Sequence, residues 1–348
     1  MKRIKYYDLL RILCFSLVIY YHMTVQLAIS GLEEMESLAP LWGNGNMHVA
    51  TLAVAVFFML SGACLQESAK GGFETRKYYV KRFFSLIIPF YVTEALYFIY
   101  LVIFNREKLA GYSAIPLRRL FYTVSAMDEW VSMHGTRTFS FTIGEWFLGA
   151  MVVLSLLFPL LHYLVEKYRK PFFFFITVCY LLAAWKYNGI RIRFCPEVPY
   201  NMSILFKGYE FVLGMYLPGI LGNGGKRRAA FFIPVVLLFL FCKDSFPVTD
   251  ILKITVLSVS VFGSASLLEP WLQKNDHGFL KKAGAFTYPV YLVHHLVIYE
   301  LTPVFAPHIH QTPGYLLLFF CELLLMVPLA YLVKKLSEML TGKLKKTQ

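Results

Sequence analysis

Charged residues are scarce in this chain. Only 16 % of its 348 residues are Asp, Glu, Lys or Arg, and 57 % are hydrophobic, whereas a soluble domain has about 25 % charged residues. This shortage excludes a soluble globular domain, and with it a soluble basic surface for nucleic acid. The composition is typical of an integral membrane protein.

Several familiar motifs are also missing. The six cysteines include no Cys-x-x-Cys pair, which argues against a disulfide framework. No Gly-x-Ser-x-Gly elbow and no phosphate-binding loop is present, so neither of those catalytic arrangements is predicted. No repeat, low-complexity tract or Pro/Gly-rich linker divides the chain. We therefore predict a single membrane-embedded domain over residues 1–348, with no separate soluble domain.

Long apolar segments are what the sequence does contain. Hydropathy predicts an all-α, polytopic transmembrane helical bundle of about ten spans. The first span is not followed by a small-residue cleavage site, so we interpret it as a retained helix rather than a signal peptide. The predicted spans cover residues 7–29, 48–66, 83–104, 140–164, 171–187, 202–220, 229–242, 251–268, 284–303 and 314–333.

The basic residues orient this bundle. Of the 34 Lys and Arg residues, 22 fall in segments on the side of the N-terminus and 10 in segments on the other side. Because cytoplasmic loops carry an excess of Lys and Arg, both termini are predicted to be cytoplasmic. The longest segment between spans, residues 105–139, then lies outside.

Arg11 and His22 stand inside the first apolar segment. Eleven residues are close to three helical turns, so both side chains share one face, about 16 Å apart along the axis. Ionisable groups at that depth indicate a functional site. The alternative is that Arg11 snorkels to the headgroups while His22 forms an ordinary hydrogen bond. Asp8 lies three residues before Arg11 and can pair with it.

The remaining candidates for chemistry are few. A histidine near neutrality can act as a general base on a bound hydroxyl, and His294-His295 lies in the ninth predicted span. Glu145 lies at the outer start of the fourth predicted span, where an isolated carboxylate is costly unless it faces water or a cation. His308 and His310 lack a neighbouring carboxylate and are interpreted as part of a solvated loop. The sequence predicts no bound metal and no bound cofactor.

Five segments together resemble one family. They are Tyr7-Asp8-Leu9-Leu10-Arg11 with His22 after ten intervening residues, Phe57-Phe58-Met59-Leu60-Ser61-Gly62, Tyr79 to Pro89, Glu145-Trp146-Phe147-Leu148, and Tyr288-Pro289-Val290-Tyr291-Leu292-Val293-His294. In this order they are similar to motifs of the acyltransferase-3 family of membrane acyltransferases. One position departs from the family pattern. Where the family has Arg-x-x-Arg, Arg82 is followed by Ser85, so Lys77 or Lys81 is a candidate substitute.

The resemblance implies an O-acyltransferase of the cell (cytoplasmic) membrane. Its donor substrate would be acyl-CoA, usually acetyl-CoA, and its acceptor a hydroxyl of a surface carbohydrate or a lipid-linked precursor, as in polysaccharide biosynthesis. Membrane lipids would be its other partners. By the same resemblance His22 would be the catalytic residue. The predicted substrate-binding residues are Asp8, Arg11, Ser61, Lys81, Arg82, Glu145, Trp146, Tyr291 and His294.

Other function classes stay open on the residues alone. Buried charges in a bundle of ten helices also suit a transporter or exporter of a glycan or lipid-linked sugar. A structural subunit of a polysaccharide-synthesis complex is a third interpretation. A transporter would more naturally show two related halves, and no such internal symmetry is visible in the sequence.

Overall fold

A computed structural model describes residues 3–32, 43–44, 47–133, 135–136, 138–139, 143, 145–187, 202–222, 233, 235–236 and 250–346. Helices dominate this part of the chain. The β structure within it is one short antiparallel pairing, Gly43–Asn44 with Met47–His48. The prediction of a helical membrane bundle is therefore confirmed.

The longer helices follow the apolar segments of the sequence. They are α1 (Lys5–Ile29), α2 (Val49–Ala69), α3 (Thr75–Phe104), α7 (Glu145–Lys167), α8 (Arg169–Tyr187), α9 (Ile204–Leu221), α10 (Asp250–Ser266), α13 (Thr287–Phe305) and α14 (Thr312–Lys346). Short helices connect them, namely α4 (Arg106–Ala110), α5 (Leu120–Val124), α6 (Asp128–Ser132), α11 (Glu269–Asn275) and α12 (Phe279–Gly284). Two 3₁₀ turns cover Leu117–Arg119 and Ala306–His308.

Fewer helices qualify as membrane spans than the ten that hydropathy predicts. Within the described residues, six are long and apolar enough to cross a membrane, and α10 with α11, bent by 45°, would make a seventh. The fifth and ninth predicted spans coincide with α8 and α13, which have 19 residues each. Almost all of the seventh, residues 229–242, lies outside the described residues.

The first helix lies between two groups of helices. On one side Phe15, Ile19 and Met23 pack into a cluster with α3, α13 and α14. On the other side Leu10 and Cys14 pack against α2 and α10. A third cluster joins α2, α7 and α9. Helix α1 therefore contacts both groups.

Glycines allow α2 and α9 to approach closely. A Cβ atom on Gly62 would lie 1.9 Å from the carbonyl oxygen of Phe211, and one on Gly214 would lie 1.9 Å from that of Met59. Small residues at helix contacts are common in membranes because they let backbones pack directly. The close packing of α2 against α9 therefore explains why the residue after Ser61 is glycine.

Candidate functional site

One cavity of about 340 Å³ lies between the two groups of helices. Its lining comes from α1, α2, α3, α7 and α13, together with Met202. The polar side chains on it include Arg11, His22, Arg82, Ser61 and Ser85. Two guanidinium groups and an imidazole, from residues of two different helices, thus face one cavity.

Arg11 and His22 both line this cavity. The prediction that they share a face of one helix is confirmed. With 1.5 Å of rise per residue, they mark two ends of the cavity about 16 Å apart along the axis. The two ends have different surroundings.

At the Arg11 end, a buried carboxylate holds the guanidinium. Asp8 is 3 % exposed, and its Oδ1 accepts a hydrogen bond from Arg11 Nη1 at 2.8 Å. Arg3 donates to the same carboxylate through Nε at 2.6 Å and Nη2 at 3.0 Å. Asp8 does not line the cavity among the described residues. Its geometry fits a positioning residue for Arg11, with Arg3 balancing its charge.

The same end is tied to the loop that precedes α12. Lys5 Nζ lies 3.4 Å from Asp276 Oδ2 and donates to the carbonyl oxygen of Asp276 at 2.7 Å. The backbone N–H groups of Leu280 and Gly278 donate to Asp276 Oδ1. These hydrogen bonds, of which the one from Leu280 has the largest effect, hold the pKa of Asp276 below its ordinary value. The beginning of α1 is thereby fixed to the helices that precede α13.

Arg82 reaches the cavity from a distorted part of α3. Its Nη2 and Nε donate to Ser155 Oγ at 2.9 and 3.3 Å. The turn that follows, Phe83–Ile87, is π-helical, an irregularity that often occurs at functional sites. Ser85 lies within this turn and its hydroxyl donates to the carbonyl oxygen of Arg82.

A second, more open cleft of about 1030 Å³ adjoins the cavity. Ser85 and Tyr288 line both spaces. The cleft is lined by four basic residues and two acidic ones, Arg76, Lys77, Lys81, Lys334, Glu74 and Glu338. Lys77 pairs with Glu74 at 2.6 Å. A basic surface therefore begins at the position where Ser85 replaces the second arginine of the family pattern.

At the other end, His22 meets two histidines of α13. Its ring centroid is 5.3 Å from that of His294 and 4.4 Å from that of His295. The centroids of His294 and His295 are 4.3 Å apart. Both residues are buried, with 1 % and 5 % exposed. Tyr291, one turn earlier, stacks on His294 and lines the cavity.

The sequence-predicted site residues fall into three groups. On the cavity wall are Arg11, His22, Ser61, Arg82, Trp146 and Tyr291. Beside it, outside its lining, are Asp8, Lys81 and His294. The side chain of Glu145 lies outside the described part of the chain.

Sequence reasoning missed Ser155 and gave no role to His295. Ser155 binds Arg82 but stands in an ordinary apolar segment, with no pattern to single it out. His295 was visible only as the neighbour of His294. Consecutive helical residues point about 100° apart, so the sequence offers no reason for both to reach His22.

Comparison with known proteins gives one match. A family profile described as an acyltransferase domain covers residues 4–335, nearly the whole chain. No curated protein and no solved structure matched the chain.

Proposed function

Because the chain belongs to the acyltransferase-3 family, we propose that it is a membrane O-acyltransferase that uses acyl-CoA, with acetyl as the acyl group. The proposed acceptor is a hydroxyl of a cell-surface carbohydrate or of its lipid-linked precursor. The enzyme would act in the cytoplasmic membrane, with both termini inside, as part of polysaccharide biosynthesis.

One observation carries this proposal. Arg11, Arg82 and His22 line the same cavity although they come from different parts of the chain. Guanidinium groups bind phosphate through paired hydrogen bonds, and imidazole suits proton transfer near neutral pH. An anionic donor held at one end and a base at the other would suit acyl transfer from CoA.

The proposed reaction is a direct transfer. A hydroxyl oxygen of the acceptor attacks the thioester carbonyl carbon while His22 accepts the hydroxyl proton. The new C–O bond forms, the C–S bond breaks, and the thiolate of CoA leaves. The thiolate accepts this proton from the His22 imidazolium, so that CoA leaves as the thiol and His22 returns to the neutral imidazole.

We assign the basic cleft to the phosphate group of the donor that lies farthest from the thioester, while Arg11 and Arg82 in the cavity would hold the diphosphate. The cleft opens beside Ser85, where the side chain is much smaller than arginine, and Lys81 lines it. The donor would pass Ser85 and Tyr288, which line both spaces. In this arrangement Lys81 supplies the charge of the missing arginine from one turn earlier.

The acceptor is assigned to the aromatic part of the cavity. Trp146, Tyr291 and Tyr21 line it, and Tyr21 directly precedes His22. Aromatic faces suit the apolar faces of sugar rings, while the phenol and indole groups can hydrogen-bond to hydroxyls. The support for a carbohydrate acceptor is therefore chemical complementarity next to the proposed base.

A transfer assay tests the proposal. Purified full-length protein, treated with EDTA, is incubated with radiolabelled acetyl-CoA and a membrane glycan fraction. We expect label in the glycan, and slow hydrolysis of acetyl-CoA when glycan is left out. Absence of both reactions from protein that is folded by size-exclusion chromatography would contradict the proposed function.

A further inference from the structure

The three histidines at the end of the cavity form a set of potential metal ligands. Within the described residues, one nitrogen from each of His22, His294 and His295 can be chosen so that all three lie within 4.8 Å of one another. Zn–N bonds are about 2.0–2.1 Å, so ligand nitrogens of a tetrahedral site are about 3.4 Å apart. Small side-chain rotations would bring the three imidazoles to that spacing.

A hydrogen bond orients one of these ligands. His294 Nδ1 lies 2.5 Å from the carbonyl oxygen of Tyr291. A carbonyl can only accept, so Nδ1 carries a proton, and in the neutral imidazole Nε2 then carries the lone pair. Metal-binding histidines commonly donate their second ring nitrogen to a backbone carbonyl or carboxylate in this way. The tautomer required for metal binding through Nε2 is therefore already selected.

The chemistry of the set favours a borderline transition-metal ion. Imidazole ligands suit Zn²⁺, Cu²⁺ and Ni²⁺, whereas Mg²⁺ and Ca²⁺ prefer oxygen ligands. Three histidines with one remaining position for water are a common zinc arrangement. The burial of His294 and His295 leaves little water to compete for their nitrogens.

The position of the set relative to the cavity indicates what the ion would do. His22 lines the cavity, whereas the lining does not include His294 or His295. An ion held by all three would therefore lie on the far side of His22 from the proposed substrate, where it could not polarise a thioester carbonyl. It would occupy a lone pair on His22 that the proposed proton transfer needs.

We infer that His22, His294 and His295 form a site for Zn²⁺ or a similar divalent ion, and that occupancy of this site inhibits acyl transfer. The binding site stands on geometry alone. The inhibition rests on the proposed function, because it requires His22 to be the base.

Cobalt spectroscopy tests the site directly. Full-length protein is stripped with EDTA, dialysed and titrated with Co²⁺, whose visible absorption is intense only in tetrahedral or five-coordinate sites. We expect saturation near one ion per chain and displacement by Zn²⁺. His295→Phe and His294→Phe should each weaken Co²⁺ binding by at least the ~10- to 100-fold that loss of a supporting contact costs.

His162→Phe is the matched control. His162 is a partly buried histidine that packs against Phe158 and Phe73, on a different helix from the three proposed ligands. The spectrum of this variant should equal that of the wild type. A wild-type protein without a visible cobalt spectrum, or a spectrum unchanged in both α13 variants, would overturn the metal site.

The rate of acyl transfer, measured with and without Zn²⁺, tests the inhibition separately from the metal site. The ratio of the rate in Zn²⁺ to the rate in EDTA should be well below one for the wild type and should rise toward one in His295→Phe. A wild-type rate that increases with Zn²⁺ would refute inhibition. If a cobalt site is present but no acyl transfer occurs under any condition, the proposed function and the inhibition fail while the metal site stands.

Discussion

At the scale of single residues, His22 occupies the end of the cavity that is lined by aromatic side chains. We predict that His22→Ala lowers acyl transfer by roughly 100- to 10,000-fold, the usual contribution of a general base. The measurement is the rate with labelled acetyl-CoA in EDTA, per folded molecule. His162→Ala is the control and should stay near the wild-type rate. Near-normal turnover in His22→Ala would remove His22 from the mechanism.

Substitutions of Arg11 test whether this side chain contacts the acyl-CoA donor or only anchors α1 at the membrane surface. We predict that Arg11→Ala raises KM for acetyl-CoA by about 10- to 100-fold, since hydrogen bonds to charged groups contribute about 1.5–3 kcal/mol. Arg11→Lys should recover only part of this, because lysine keeps the charge but lacks the planar fork. Unchanged kinetics with reduced expression would instead support the snorkelling alternative.

Asp128 gives a residue-scale prediction that is independent of catalysis. It lies in the segment between α3 and α7, it is 7 % exposed, and burial raises its pKa to about 6. The folded state therefore favours the protonated acid, and stability is lost as the pH rises from about 4 through 6. We expect Asp128→Asn to raise the thermal midpoint at pH 7.5 and to change it little at pH 4. An equal change at both pH values would contradict this reasoning.

At the scale of helices, the contact of α2 with α9 depends on two glycines. A Cβ at Gly62 would meet the carbonyl oxygen of Phe211 at 1.9 Å, so the helices must separate to accept it. We predict that Gly62→Ala destabilises the protein by about 1–3 kcal/mol, the usual cost of overpacking. It should also reduce activity, because Ser61 next to it lines the cavity.

The control for this prediction is a helical glycine with free space. A Cβ at Gly314 in α14 would meet no atom within 4 Å, so Gly314→Ala should leave the thermal midpoint unchanged or raise it slightly. Equal effects of the two substitutions, measured by thermal unfolding in detergent, would show that the close approach of α2 and α9 is unimportant for stability.

At the scale of the whole molecule, the orientation in the membrane decides whether acyl-CoA can reach Arg11 and Arg82. We predict that residues 67–82 and 334–348 are cytoplasmic and that residues 105–139 are outside, from the 22-to-10 distribution of basic residues. Single cysteines in an otherwise cysteine-free protein are treated with an impermeant thiol reagent. Position 113 should react from outside, while positions 75 and 345 should not. Reaction from outside at 75 or 345 would invert the orientation.

Local patterns in the sequence were sufficient to predict several features of the fold and of the candidate site. Hydropathy predicted a first span over 7–29, and α1 covers Lys5–Ile29. The helical period placed Arg11 and His22 on one face, and the three-residue spacing predicted the contact of Asp8 with Arg11. The motifs of the sequence resembled the acyltransferase-3 family, and the family match confirms that membership. The first span, the shared face and the Asp8 contact each depend on residues within a few turns of each other, so local chemistry determines them.

Only the tertiary structure decided what depends on helix packing. Among the described residues six or seven helices are long and apolar enough to cross a membrane. Almost all of the seventh predicted span lies outside those residues, so the number of ten spans stays a prediction. The contact of His22 with His295 joins residues that are 273 positions apart in the sequence. Asp8 also binds Arg3, and that contact depends on the path of the chain just before α1. The sequence by itself determined the class of protein and the polar face of α1. The packing of α13 and α3 against that face decided which side chains meet there, because no local pattern encodes how distant helices align.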